Sequence, residues 1–561
     1  MSLDHNGAHR LHPKRSRLWF HAAPLTLGVS LFAVNEAPVL AGYLAAPPGY
    51  SGSFLPAHMD FQQYLTWIDA YQRTSGWLLP DYHAPWATEP ALLNPFCWFI
   101  GRASAALGVD GLWLYHLLYL AFSIAGGYAL LFALRAFSYS RTQARLALLV
   151  SFCAVPVASV LALATFLLGK ANAWLGLIWW ASKVHGRFNG DGFIDGISGS
   201  PLVLFGTVTT LLCMGLLAKY CRTSSPRYLW WAGLTASVGA FIHPFEIFVI
   251  MAAGGLALLV RRDRPWAQAA GGAACLVVPG LAGLAPYLYL TSRHAWLREA
   301  AAQNHWDAFS PPMLVLMLGF PALFCLVSFT LPLGKRAVTD FLLLCWFAGA
   351  LLGVYVPWLP WSHHLLDGVH YATALLLVRQ AARCHWLRRL WAGRPLLVRA
   401  SLAVFLAASL AAHAIYLADA TAAARVAGGG GSTMVSQTDR AVLAWLRGHA
   451  TAGDLVLAPK SSAGWFAAVP MHSFASHWLF SLTWSQQVHL SDAFYAGALD
   501  RAAADALLAD YGVRYAVIPN QSPAAAYFSG QAPAARIESA AIYRISNPGM
   551  RPFPSSRPLT K

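Results

Sequence analysis

An aspartate at position 60 stands in the run His-Met-Asp-Phe-Gln-Gln-Tyr (58–64), within the long stretch that follows the first continuously apolar run of the chain. A carboxylate there could accept the proton of a hydroxyl as a general base. It could equally help bind a divalent cation such as Mg or Mn, which takes oxygen ligands. With Gln63 three positions on, Asp60 also fits a capping box that starts a helix, and the roles are compatible. Glu89, just ahead of Pro90, is the second carboxylate of interest in this stretch: a catalytic or ligating group, or a solvated loop acid.

Further along, His243-Pro-Phe-Glu246 falls where two apolar spans meet. Pro244 must break a helix there, and an ionisable pair at membrane depth is a functional hypothesis by default. The plainer reading is a His–Glu hydrogen bond that seals a tight turn. His363, His364 and Asp367 follow Leu-Pro-Trp at the end of another span. As imidazolium the two histidines would suit an anionic phosphate; otherwise they sit in the headgroup layer. Lys170 and Arg187, isolated cations between spans, could neutralise a phosphate leaving group or anchor headgroups. Glu36, inside the first span, is expected to face other helices rather than lipid.

The elements that must position these residues follow from composition. Of 561 residues, 57% are hydrophobic and 11% charged, with mean hydropathy +0.49. Soluble chains carry about 25% charged residues, so this one has too little charge to cover a water-facing surface. With lipid as solvent only helices or closed barrels satisfy the backbone, and long Leu/Ala/Val runs without alternation select helices. Apolar spans fall near 24–45, 112–134, 146–168, 197–218, 228–243, 245–260, 267–290, 312–332, 338–357, 365–378 and 397–418. The expected fold is an all-α polytopic membrane bundle of about eleven transmembrane helices with a small extracytoplasmic C-terminal α/β domain.

The net charge of +16 lies in short clusters between spans, which argues for membrane orientation and against nucleic-acid binding. The basic tail 1–23 precedes a span of full length with no small-residue cleavage site after it, which reads as a retained first helix. If the tail is cytoplasmic, every second connection should be basic. Arg135/Arg141/Arg145, Lys219/Arg222/Arg227, Arg261/Arg262/Arg264, Lys335/Arg336 and Arg379–Arg399 obey that rule. The alternate connections hold Asp60, Asp69, Asp81, Glu89, Asp191 and Asp195. The expected location is a bacterial inner (plasma) membrane, multi-pass, with a cytoplasmic N-terminus and a periplasmic C-terminal domain. The 8 cysteines lack paired spacing, so neither a disulfide framework nor a zinc site is indicated. Most of the 23 tryptophans sit near span ends as interface anchors.

Within the membrane part, 24–418, the long outer segments are 46–111, 169–196 and 291–311. Phe61, Tyr64, Leu65, Ile68 and Tyr71 recur at helical spacing, so 60–73 reads as a helix lying on the membrane surface, with a second helix over 91–107. Residues 419–437, with Ala-Gly-Gly-Gly-Gly-Ser at 427–432, read as a flexible linker. Beyond it, 438–449 is an expected helix capped by Thr438 or Asp439. Strands at 454–459 and 514–519, with a helix over 502–510, complete a small α/β domain at 438–550, and 551–561 is a flexible tail.

The stretches Met-Asp-Phe-Gln-Gln-Tyr-Leu, Ser-Gly-Trp-Leu-Leu, Ala-Thr-Glu-Pro-Ala-Leu-Leu-Asn-Pro, Leu-Tyr-His-Leu-Leu-Tyr, Phe-Ile-His-Pro-Phe-Glu, Ala-Ala-Gln-Asn-His-Trp-Asp and Leu-Pro-Trp-Ser-His-His, with the C-terminal Tyr-Gly-Val-Arg-Tyr-Ala-Val-Ile-Pro, occur in consistent order. In this the chain resembles the GT-C-type polytopic membrane glycosyltransferases, and within them a largely uncharacterised bacterial branch related to the dolichyl/polyprenyl-phosphate-sugar-dependent mannosyltransferase-like proteins. The resemblance implies a polyprenyl-phosphate-linked sugar as donor, used at the outer leaflet, with membrane lipids as surroundings and inversion at the anomeric carbon. The family's early-loop acid falls on Asp60. His243, Glu246, His363, His364, Lys170, Arg187, Gln303 and Asn304 are the substrate-binding candidates that go with it, the cations facing the departing phosphate. Two departures stand out: Met59 occupies the position where many such enzymes have a paired acid, and His363-His364 replaces an expected Arg-rich stretch.

Two other classes remain open on the sequence. A transporter or flippase of a lipid-linked or small polar substrate would show half-to-half repeats, and none is evident. A non-catalytic envelope-assembly partner would act through the C-terminal domain.

Overall fold

The computed structural model describes residues 13–44, 48–52, 59–83, 89–153, 200–260, 265–303, 338–356, 362–383, 434–476 and 484–546, with isolated positions between them. The described chain is mostly helical with a small sheet near the C-terminus, and it divides into two compact units.

The first unit comprises 1–36, 116–284 and 307–415. Its helices are α1 (Pro13–Leu44), α4 (Gly111–Ala136), α5 (Arg141–Cys153), α6 (Pro201–Thr223), α7 (Pro226–Ile242), α8 (Glu246–Leu259), α9 (Trp266–Arg293), α11 (Val338–Gly353) and α12 (Val369–Arg383), the ends of α1, α4 and α9 passing into the second unit. Among the described residues α4, α6 and α9 are long and apolar enough to cross a membrane. Shorter apolar helical stretches are Ala22–Val34, α8 and α11. The expected spans at 312–332 and 397–418 lie largely outside the described residues. Helices pack closely where small residues meet, as lipid-embedded bundles require. Gly233 of α7 lies against the Cys275 carbonyl of α9, and Gly283 of α9 lies against the Ser237 carbonyl of α7, so neither position has room for a β-carbon.

One end of this unit is tied by a buried carboxylate. Asp340, 2% exposed at the start of α11, pairs with Arg379 and Arg383 of α12. Arg379 also donates to the carbonyl of Phe137 just beyond α4 and lies over the Tyr139 ring, 4.8 Å from its centroid. Tyr139 in turn donates to the Leu375 carbonyl at 2.6 Å. These basic residues belong to the loops expected to be cytoplasmic.

The second unit comprises 37–115, 285–306 and 416–561. It opens with β1 (Tyr50–Gly52), α2 (Met59–Arg73) and α3 (Pro95–Leu107). Asn94 caps α3 by accepting from the Cys97 amide at 3.0 Å, Pro95 starts it, and Gly108 ends it at φ +64°. Residues 91 and 92 are held extended by pairing with Leu79, so α3 begins at Pro95 rather than at 91. Part of the apolar face of α2 meets protein. Trp67, Ile68 and Tyr71 are buried, and Gly101 of α3 lets the two helices approach to backbone contact.

After α10 (Ala295–Gln303), the C-terminal part runs β2 (Met434–Ser436), α13 (Gln437–His449), β3 (Leu455–Leu457), α14 (Lys460–Phe466), β4 (His472–Ser473), α15 (Trp484–Tyr495), α16 (Arg501–Asp510), β5 (Val513–Pro519), β6 (Ala535–Ile537) and β7 (Ala540–Arg544). The sheet order is β4-β3-β5-β7-β6, with β3 parallel to β4 and β5 and the rest antiparallel. Alternation along β5 feeds two cores: Val513, Ala516 and Ile518 join Phe494, Leu507 and Phe528, while Tyr515 and Val517 join Val442, Leu446 and Phe466. Helices therefore cover both faces. The cap of α13 is Ser436, which accepts from the Asp439 amide at 2.9 Å and donates to its carboxylate at 2.7 Å. The helix thus starts directly off β2, two residues ahead of the expected Thr438.

Candidate functional site

The His-Pro-Phe-Glu run folds as the chemistry of proline dictates. His243 ends α7 in extended conformation (φ −137°, ψ 96°), the region favoured before proline, and its amide still reaches the Gly239 carbonyl at 2.8 Å. Glu246 then opens α8, where a carboxylate complements the helix dipole. The turn brings the two side chains together: His243 Nδ1 lies 2.6 Å from Glu246 Oε2, with His243 4% and Glu246 3% exposed.

A second pair of the same kind adjoins it. Ser362–Leu366 forms a 3₁₀ turn, and His364 Nδ1 lies 2.8 Å from Asp367 Oδ2. The Phe245 ring stacks on the His364 imidazole at 4.6 Å and 23°, and the His243 and His364 rings stand edge to face at 5.9 Å. Two His–carboxylate pairs therefore share one cluster around Phe245. In each, Nδ1 is committed to the carboxylate, which orients the ring and turns Nε2 away from it. Glu246 Oε1 is buried and has no hydrogen-bond partner among the described residues. Such an oxygen is costly to leave bare, and it lies against Gly206 of α6, where a β-carbon would otherwise stand.

Of the expected binding residues, then, His243, Glu246 and His364 meet, and Asp367 joins them. Sequence reading had linked Asp367 to the two histidines without placing it in the site; its i,i+3 spacing from His364 was the available signal. His363 occupies the same 3₁₀ turn. His370, in the first turn of α12, was not singled out; it is 6% exposed, its ring tilted 39° to that of Tyr371 with centroids 4.0 Å apart, and both its nitrogens are without a partner among the described residues. Lys170, Arg187 and Asn304 lie outside the described residues.

The remaining candidates belong to the second unit. Asp60 is the second residue of α2, inside the helix rather than flanking it. Gln303 is the last residue of α10. Glu89 is exposed, with Oε2 3.4 Å from His294 Nδ1. Asp81, noted in sequence only as a loop acid, is fully buried. Its Oδ1 accepts the His83 amide at 2.9 Å, and Oδ2 has no partner among the described residues. Burial pushes its carboxyl up to about 8, the His83 hydrogen bond opposing. Among the described residues no group of three or more His, Cys, Asp or Glu is arranged to hold a metal ion.

No family model matches the sequence, and no curated protein does. Solved structures similar to the chain include the following two. One is the oligosaccharyltransferase of Archaeoglobus fulgidus in complex with zinc and sulfate, at 12% identity and TM-score 0.43, covering 87% of this chain and 68% of that one. The other is ArnT from Cupriavidus metallidurans bound to undecaprenyl phosphate, at 10% identity and TM-score 0.47, covering 92% of this chain and 97% of that one.

Proposed function

We propose that the chain is a membrane glycosyltransferase that moves a sugar from a polyprenyl-phosphate donor to an envelope glycan, lipid or protein acceptor at the outer face of the inner membrane. The observation that carries this reading is Asp60 in the first turn of α2, within the ordered-motif resemblance to GT-C-type enzymes. In the proposed step the Asp60 carboxylate takes the proton of an acceptor hydroxyl. The acceptor oxygen bonds to the anomeric carbon as the bond from that carbon to the phosphate oxygen breaks. The lipid phosphate departs with the electron pair, and one displacement inverts the centre. Glu89 is a secondary catalytic candidate. The cluster of His243, Glu246 and His364 supports substrate binding in a more specific way than a bare cationic pocket would. Its imidazoles are held in place by the carboxylates of Glu246 and Asp367, at 2.6 and 2.8 Å. A divalent cation, Mg or Mn, is a candidate cofactor through Asp60.

The test is transfer in membranes carrying the full chain, supplied in turn with undecaprenyl-phosphate-linked radiolabelled hexoses and pentoses. Asp60→Asn keeps the size and polarity of the side chain and should abolish transfer while the protein accumulates normally. Undiminished transfer by Asp60→Asn removes Asp60 as the base.

A transporter or flippase is the second reading, and the buried His243–Glu246 pair favours it, since intramembrane ionisable pairs serve proton relays. Substrate accumulation in proteoliposomes without glycosidic-bond formation would select it.

A further inference from the structure

We infer that Arg447 is a positioning residue through which the C-terminal domain sets the placement of α2 and therefore of Asp60. The inference rests on the reading of Asp60 as the base, and its structural half can be tested without that reading.

The helix that carries Asp60 is held by the C-terminal domain on both sides. Eight residues before Asp60, β1 ends at Gly52 in an antiparallel ladder with β2, pairing Tyr50 with Ser436, Ser51 with Val435 and Gly52 with Met434. The ladder is extended by the Gln437 amide donating to the Gly49 carbonyl at 2.8 Å. Nine residues after Asp60, Asp69 accepts from Arg447 Nη2 of α13 at 2.7 Å. The α2 helix also packs on α14 of the same domain. Past its end, the chain is fastened again. The Ser473 amide donates to the Tyr82 carbonyl at 2.9 Å, His472 Nδ1 lies 2.9 Å from the Asp81 carbonyl, and His83 Nδ1 lies 2.8 Å from Ser476 Oγ.

Of these contacts the Arg447–Asp69 bond is the one made directly to α2 by a charged side chain. Packing lets a helix slide or rotate by small amounts, whereas a charge-assisted hydrogen bond is short and directional. Both partners are about three-quarters shielded, at 26% and 25% side-chain exposure. Arg447 is desolvated enough that burial pulls its pKa down, with Asp69 opposing. Asp69 has a second partner in Arg73, at 3.1 Å. Removing Arg447 therefore does not strand the carboxylate, and the variant can fold while the tether to α13 is lost.

A general base must stand within hydrogen-bond reach of its proton, and a misplacement of about 1 Å can cost about a hundredfold in rate. Arg447→Met should therefore lower kcat about ten- to a hundredfold at nearly unchanged KM for the donor. Arg447→Lys should recover part of the loss, and the pH profile should keep its shape because the base itself is untouched. The structural half is read by hydrogen exchange on the full chain without substrate. Amides of 59–73 should exchange about tenfold faster or more in Arg447→Met, with α4 and α6 unchanged. Asp69→Asn should give the same acceleration, and the double variant should add little to either. Unchanged exchange across α2, or additive effects of the two substitutions, would overturn the inference. Faster exchange with unchanged kcat would overturn its catalytic half. If Asp60→Asn is fully active, the reading of Asp60 fails separately, and the exchange result still decides whether Arg447 holds α2.

Discussion

The carboxylate of Glu246 occupies the space that a β-carbon on Gly206 would fill. Glycine at this point of α6 is what allows the head of α8 to seat a carboxylate against the neighbouring helix while His243 holds its other oxygen. Gly206→Ala should therefore expel the carboxylate and break the His243–Glu246 bond. Leaving buried polar groups unpaired costs about 1–3 kcal/mol each, so the thermal midpoint in detergent should fall. In a Glu246→Ala background there is no carboxylate to displace, and Gly206→Ala should then add almost nothing. Equal losses in both backgrounds would show that Gly206 serves helix packing alone.

The Asp340 cluster predicts an asymmetry between its two arginines. Asp340 is 2% exposed and faces Arg379, which is itself largely buried, and Arg383, whose side chain is 46% exposed. Asp340→Asn leaves a buried guanidinium without its counter-charge, a loss of about 3–5 kcal/mol in comparable pairs. Arg383→Met removes a half-exposed partner and should cost about 0–1 kcal/mol. Thermal unfolding of the full chain in detergent measures both. A loss from Arg383→Met as large as that from Asp340→Asn would mean that the cluster acts as an indivisible triad.

Glu89 offers a substitution in which stability and chemistry separate. Its side chain is 80% exposed, and its bond to His294 is long, at 3.4 Å. Exposed pairs of this kind contribute about 0–1 kcal/mol, so Glu89→Gln should leave the thermal midpoint within error of the parent. Transfer activity then reports on chemistry without a folding artefact. A drop in kcat assigns Glu89 to the reaction, and unchanged transfer returns it to the solvated loop.

Local chemistry was legible in the sequence at the His-Pro-Phe-Glu run, where the partners are close along the chain. Pro244 predicted the break between α7 and α8, and the i,i+3 spacing put Glu246 on His243. Periodicity found α2 and α13, but their first residues were missed because the starts depend on neighbours outside the helix: Ser436 both ends β2 and caps α13. The resemblance put His243 and His364 in one binding set, but spacing along the chain does not give the direct edge-to-face contact of their rings, which the 3₁₀ turn of Ser362–Leu366 makes possible. The bonds from 49–83 to the C-terminal part span up to 393 residues. A period of 3.6 or 2 says which face of an element is buried, and nothing in it names the partner. That is why the packing of α2 on α3 could not be named from the sequence.

The buried carboxyl of Asp81 gives stability a pH dependence of unusual sign. Burial raises its pKa from the ordinary 3.8 to about 8, with the His83 amide pulling the other way. Between pH 4 and pH 8 the folded chain thus holds a proton that the unfolded chain has released. Stability linked to this group is full below the unfolded pKa, falls as pH rises through the window, and levels off above the folded pKa. Asparagine mimics the protonated acid, keeps an oxygen for the His83 amide and does not titrate. Asp81→Asn should therefore raise the thermal midpoint at pH 9 and flatten its decline between pH 4 and 8. His83 and His472, the titratable groups bonded around this segment, are common to both proteins, so the difference between the two curves isolates Asp81. Parallel curves would mean that Asp81 is ionised in the folded chain and that a donor compensates its Oδ2.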